Sequence, residues 1–201
     1  MALDPARCVL LCMDFQRDIC APGGRMIADD PVVHARFAAA IDRAVTLRAA
    51  FRTRGLRVAH VQHVFSPGYP ELEGKALAGM QRFMMQKSAF LEGDPGTDFV
   101  PELTPAEDEV VHRKQTISPF ESGSLATWLD HEGLDTLVLS GSVTHYVVLA
   151  TALSAHDRGL RVVVAADACA SGTPERHDVA LGILGPLAEV SDVASVVSAL
   201  G

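Results

Sequence analysis

Thr136–Asp157 reads TLVLSGSVTHYVVLATALSAHD. An apolar and β-branched lead runs into Ser140-Gly141-Ser142, and a longer apolar segment follows with its polar residues at helical spacing. The pattern predicts a strand, a tight turn and a helix entrance. Such a junction aims unbonded backbone N–H groups, and the positive end of a helix dipole, at one spot. A stabilised anion or an activated nucleophile belongs there. The stretch carries hydroxyls at Ser142 and Thr144 but no thiol.

Other strands have the same organisation. Cys8–Met13 (CVLLCM) is a continuous apolar run, as expected of a strand covered on both faces, and Asp14-Phe15-Gln16 follows it. Polar side chains just past the carboxyl end of a buried strand occupy the ligand position of open α/β sheets, although Asp14 also suits a turn or helix cap. Residues 17–30 contain Pro, Gly-Gly and several Asp and predict a loop, and 31–54 predict a helix stopped by Gly55. Arg57–Val61 is a second strand, with His63 just past its end as either a substrate contact or polar lining.

Residues 66–106 are irregular, and form a plausible lid over the strand ends. Their Met and Phe residues, including a Met-rich piece, MQRFMMQ at 80–86, suit an apolar pocket wall, a core or a subunit contact. Glu109–Arg113 predicts a short strand with Lys114 at its end, as a site residue or a solvated lysine, and a helix starts at Leu125. Arg161–Ala166 predicts a buried strand ending at Asp167, Pro174 opens a helix, and 190–200 closes the chain. Strands alternating with helices, without internal repeats, predict one domain over 1–201: α/β, a doubly wound, mainly parallel sheet of five or six strands flanked by helices.

Composition narrows the function. With 201 residues, 48% of them hydrophobic, the chain can bury one good core. The net charge of −8, with acids and bases interspersed, leaves no basic stripe for nucleic acid and no polybasic patch for a membrane. A small-molecule substrate is the expected partner. Cys8, Cys12, Cys20 and Cys169 show neither CxxC spacing nor the density of a disulfide scaffold, and no leader or membrane-length apolar run stands out, so a cytoplasmic protein is expected. The glycines of the central turn do not form GxGxxG, and no cofactor is expected.

Three blocks taken together resemble the isochorismatase-like, or cysteine hydrolase, superfamily. They are Asp14-Phe15-Gln16 after a first strand, Lys114 with Ser118-Pro119-Phe120, and Gly141–Val148 followed by Ala150-Thr151-Ala152. Asp167–Ser171 with Pro174–His177 is similar to the family's late strand and helix. The resemblance implies an aspartate, lysine and cysteine that hydrolyse amides, ureides or related C–N bonds through a thioester. Asp14 would be the base, Lys114 would hold charge and position, and the nucleophile would fall at 147, where this chain has Val147. Gln16, His63, Phe120, Val143, Thr144 and His145 are the expected substrate-binding residues.

Isochorismatases proper also lack the thiol. There the aspartate matching Asp14 protonates a vinyl ether and water attacks the resulting cation. A lysine beside Asp14 favours the carboxylate, which suits a base; only strong desolvation favours an acid. Nicotinamidase relatives carry an Asp-x-His metal pair after the second strand. Here His63-Val64-Phe65 stands without a second ligand, and no metal is expected. The resemblance also implies a homodimer or homotetramer with the pocket near an interface. The expectation is noncovalent hydrolysis of a small, anionic or carbonyl substrate through Asp14 and Lys114. The alternatives are a cysteine amidohydrolase whose nucleophile was replaced and a binding protein on the same fold.

Overall fold

The computed structural model describes residues 2–77 and 79–201. Six strands form one parallel sheet: β1 (Cys8–Met13), β2 (Arg57–His63), β3 (Val110–Lys114), β4 (Thr136–Ser142), β5 (Arg161–Ala170) and β6 (Glu189–Ser191), in the order β3-β2-β1-β4-β5-β6. This is the doubly wound α/β architecture that the alternating pattern predicts, with six strands because a three-residue β6 closes the edge.

Helices cover both faces, and β1 shows why its sequence is apolar throughout. Cys8, Leu10 and Cys12 join one cluster with Phe37, Ala44, Leu47 and Phe51 of α2 (Pro31–Thr53) and Val196 of α7 (Val193–Ala199). Val9, Leu11 and Met13 join the other, with Leu125 and Leu129 of α4 (Leu125–Glu132), Ala152 and Ala155 of α5 (Leu149–Asp157), and Leu184 of α6 (Pro174–Leu184). Alternation along the strand therefore supplies two cores, and neither face tolerates a polar residue. The entry of α2 is fixed locally. The Asp30 carboxylate accepts hydrogen bonds from the N–H groups of Val32 and Val33, and Pro31 occupies the first turn.

Four elements differ from the expectations, each with a physical reason. Arg17–Cys20 forms one helical turn, α1, because the Gln16 carbonyl accepts from the N–H groups of Ile19 and Cys20. β2 and β3 extend to His63 and Lys114, which pair with each other in register. β5 continues through Asp167 to Ala170, because a register shift lets Gly141 of β4 pair with Cys169 after Leu139 has paired with Val164. Segment 66–106 contains α3 (Gly79–Lys87) and two short 3₁₀ turns, at Pro70–Leu72 and Pro101–Leu103. Among the described residues, no helix is long and apolar enough to cross a membrane.

Candidate active site

The strand order reverses between β1 and β4, the place where a doubly wound sheet opens a crevice beyond its carboxyl ends. Four adjacent strands deliver side chains to it. Asp14 follows β1, His63 ends β2, Lys114 ends β3 and Ser142 ends β4. Beyond Ser142 the chain enters a wide π-helical turn, Thr144–Val148, before α5 begins. Gly141 is required at this junction. A Cβ there would lie 2.9 Å from the Met13 carbonyl oxygen and 3.3 Å from a Val148 methyl.

Asp14 and Lys114 form a buried ion pair, Oδ2 to Nζ 2.8 Å, with side-chain exposures of 6% and 1%. Asp14 Oδ1 is buried without a hydrogen-bond partner. Lys114 Nζ also lies 3.0 Å from His63 Nδ1 and donates to the Thr116 carbonyl at 3.1 Å. An ammonium has three N–H donors and no acceptor, so all three are used, and His63 Nδ1 is the acceptor of its pair. That tautomer leaves the proton on His63 Nε2, which has no partner.

Burial dominates the electrostatics. It raises the Asp14 carboxyl above its ordinary range despite the opposing pull of Lys114, and it lowers Lys114 despite Asp14. The two groups therefore shift toward one another. Burial, with Lys114 beside it, holds His63 well below its ordinary value and the imidazole is neutral. The desolvation needed to make Asp14 a proton donor is therefore present.

The cavity above these groups is small, with a volume of about 60 Å³. Asp14, His63, Lys114 and Ser142 supply its polar floor. The rest of its lining is largely apolar: Val143, Tyr146, Val147, Ile19, Met26, Met80, Met84, Phe90 and Ile117. The irregular segment 66–106 thus contributes three apolar residues to the cavity, and its Met-rich helix is pocket wall. Val147 lines the cavity from within the core, 2% exposed.

Of the expected substrate-binding residues, the structure brings His63 and Val143 to this cavity. Gln16 lies beneath it, fully buried, donating to the carbonyls of His63 and Thr97 and accepting from the His63 N–H. Its amide is used up on backbone. Phe120 lies in a different depression, under the Arg158 guanidinium. Thr144 is buried against His177, Oγ1 to Nδ1 2.9 Å. His145 turns its Nδ1 to Ser171 Oγ at 2.9 Å and borders an outer groove with Val179 and Ile183. A π-helical turn explains the last two: its wider spacing points residues 144 and 145 away from the side chains at 143, 146 and 147.

Sequence reasoning missed Ile19, Met26, Ile117 and Tyr146, residues in irregular segments or on the π-turn, where neither period of two nor of 3.6 marks a face. Ser142, expected in the tight turn, instead ends β4 and lines the cavity. No cysteine is among the lining residues, and burial pushes all four thiols, Cys8, Cys12, Cys20 and Cys169, up to about 12. A buried protonated thiol is a poor nucleophile. Among the described residues, no group of three His, Cys, Asp or Glu side chains is placed to hold a metal ion.

The family model for the isochorismatase domain matches residues 8–195. The chain belongs to that family. Among isochorismatase-family relatives, it is 30% identical to the maleamate amidohydrolase of Pseudomonas putida over 172 residues, 86% of this chain and 76% of the relative. It is 32% identical to the ureidoacrylate amidohydrolase RutB of Methylobacterium radiotolerans over 219 residues, all of this chain and 82% of the relative. The fold matches that of a cysteine hydrolase from Pseudomonas syringae pv. phaseolicola with a TM-score of 0.86 at 21% identity, over 99% of this chain and 94% of that one. Membership in the isochorismatase family and amidohydrolase-named relatives make this protein a hydrolase.

Proposed function

We propose that this chain hydrolyses the C–N bond of a small amide without a covalent enzyme intermediate, using Asp14 as the proton-transfer group. The observation that carries this reading is Asp14 Oδ1, buried and unpartnered at a cavity that no thiol lines. A carboxylate oxygen desolvated in this way gains a hydrogen bond as soon as a water or substrate N–H arrives.

The step balances simply. Water adds to the amide carbonyl carbon while Asp14 Oδ1 takes one of its protons. The C–N bond of the tetrahedral intermediate then breaks as Asp14 returns that proton to the leaving nitrogen, giving a carboxylic acid and an amine. Lys114, held at 2.8 Å on Oδ2, compensates the carboxylate charge in the resting state and keeps Asp14 in place as Oδ1 takes and returns the proton. The His63 Nε2–H is the donor available for the developing oxyanion. Val147 shapes the wall and takes no part in bond-making.

The test is a pair of variants assayed on a panel of simple aliphatic amides and ureido acids. The native chain turns over at least one member, Asp14→Asn lowers kcat/KM by roughly a hundredfold or more, and iodoacetamide leaves the native rate unchanged. A silent native chain beside an active Val147→Cys would overturn noncovalent hydrolysis and identify a pocket that has lost its nucleophile.

A further inference from the structure

The cavity has one cation in its lining, and that cation is fully committed. Lys114 spends its donors on Asp14 Oδ2 at 2.8 Å, His63 Nδ1 at 3.0 Å and the Thr116 carbonyl at 3.1 Å. Arg25, next in sequence to the lining residue Met26, is turned away. Its two terminal nitrogens engage both Asp94 oxygens at 2.8 Å and the Ser88 carbonyl at 2.9 Å. No other Lys or Arg is among the described lining residues. Beyond the polar groups the lining is largely apolar, with Met80, Met84, Phe90 and Ile117 among it.

We infer that this site takes an amide whose acyl group is uncharged and apolar, and that it rejects amides that also bear a carboxylate. This inference rests on the amide-hydrolysis reading above and deepens it. The relatives whose names specify maleamate and ureidoacrylate act on anions; a carboxylate entering this cavity would lose its hydration and meet methionine and isoleucine instead of a guanidinium. An unpaired buried charge is the most heavily penalised group a site can accept. It would also approach the Asp14 carboxylate, adding like-charge repulsion. The methionines adapt to different alkyl shapes at little cost, so the selection is by charge before shape.

Two matched pairs separate charge from size. Succinamate and 4-methylpentanamide differ only in a carboxylate replaced by an isopropyl group, and levulinate and 5-methylhexan-2-one are the corresponding methyl ketones, which have no C–N bond to break. On the native protein, binding of the ketones is measured by calorimetry and hydrolysis of the amides by product analysis. We expect the neutral ketone to bind at least roughly tenfold tighter than levulinate, and kcat/KM to favour 4-methylpentanamide by roughly a hundredfold. Met80→Lys, at the half-exposed end of α3, narrows both ratios by supplying the missing cation. Equal or tighter binding of levulinate, or no binding of either ketone, overturns the charge selection. A preserved ketone preference with neither amide cleaved leaves the selection standing and removes the hydrolytic reading instead.

Discussion

Asp14 sits at φ +55°, in the left-handed region that L-residues enter at a cost of about 1 kcal/mol. Aspartate and asparagine tolerate that conformation better than other branched or alkyl side chains, so the residue type answers to backbone as well as to chemistry. Two substitutions therefore separate the roles. Asp14→Asn keeps the conformation and an acceptor for Lys114, and we expect a melting temperature within about 4 °C of the native value alongside the activity loss. Asp14→Ala carries the conformational penalty and strands the Lys114 ammonium, so it is less stable than Asp14→Asn by roughly 1–3 kcal/mol in chemical denaturation. Similar stability for the two variants would show that φ +55° is not a constraint. Lys114 behaves differently, because removing it alone leaves a buried carboxylate. Lys114→Met costs roughly 3 kcal/mol, and adding Asp14→Asn recovers part of that loss. The local pattern gave only two polar residues at strand ends, and their pairing was expected from the family resemblance; the 2.8 Å contact itself follows from β1, β2 and β3 lying side by side, a fact of topology that no local pattern encodes.

At the scale of elements, the lid is fastened from below by two buried side chains. Gln16 bridges the end of β2 to Thr97, and Asp18 Oδ2 accepts the Phe90 N–H at 2.9 Å. The lid also approaches Asp18 so closely that a Cβ on Gly96 would lie 2.3 Å from its Oδ1. Phe90 in turn lines the cavity. Asp18→Ala should therefore release the segment around residue 90: KM for the amide rises roughly tenfold or more while kcat falls less, and amide hydrogen exchange quickens at 88–97 but not in β1. An equal fall in kcat with unchanged KM would place Asp18 with the chemistry instead. This clamp explains what the sequence did and did not disclose. Long buried runs such as CVLLCM and RVVVAA declare strands, because both faces must be apolar. The RDIC turn that carries Asp18 is too short for a helical period, and its partners lie more than seventy residues away in sequence at Phe90 and Gly96. The same blindness hid the π-turn, which redirects Thr144 and His145 by local geometry alone.

Across the whole molecule, charge is concentrated in a cluster remote from the cavity, and it sets the response to acid. Glu109, with 5% of its side chain exposed, lies 2.9 Å from His60 Nε2, 2.5 Å from an Arg48 nitrogen and 3.4 Å from Arg52, and accepts the Ala106 N–H. Burial alone would raise its carboxyl, but Arg48, the Ala106 N–H and His60 together hold it down at about 2. Its folded value is thus below its unfolded one. The stability it contributes is complete above the ordinary value of 4.5 and disappears as pH falls toward 2. Burial also lowers His112 from 6.5 to about 4, so protonation favours the unfolded chain as pH falls through that interval. The two effects act in sequence, His112 between 6.5 and 4 and Glu109 between 4.5 and 2, and both destabilise in acid. Glu109→Gln leaves Arg48 buried and short of a charge partner, which costs roughly 3 kcal/mol at neutral pH. It also removes the steep fall below pH 4.5, so the native and variant stability curves converge in acid. Chemical denaturation at a series of pH values reads both arms. Parallel curves, with the same gap at low pH as at neutral pH, would mean that Glu109 stabilises by packing and that another carboxylate governs acid unfolding. Because the cluster spans α2, β2 and the entry to β3, its loss loosens the edge that carries Lys114, and activity declines with the folded fraction rather than ahead of it.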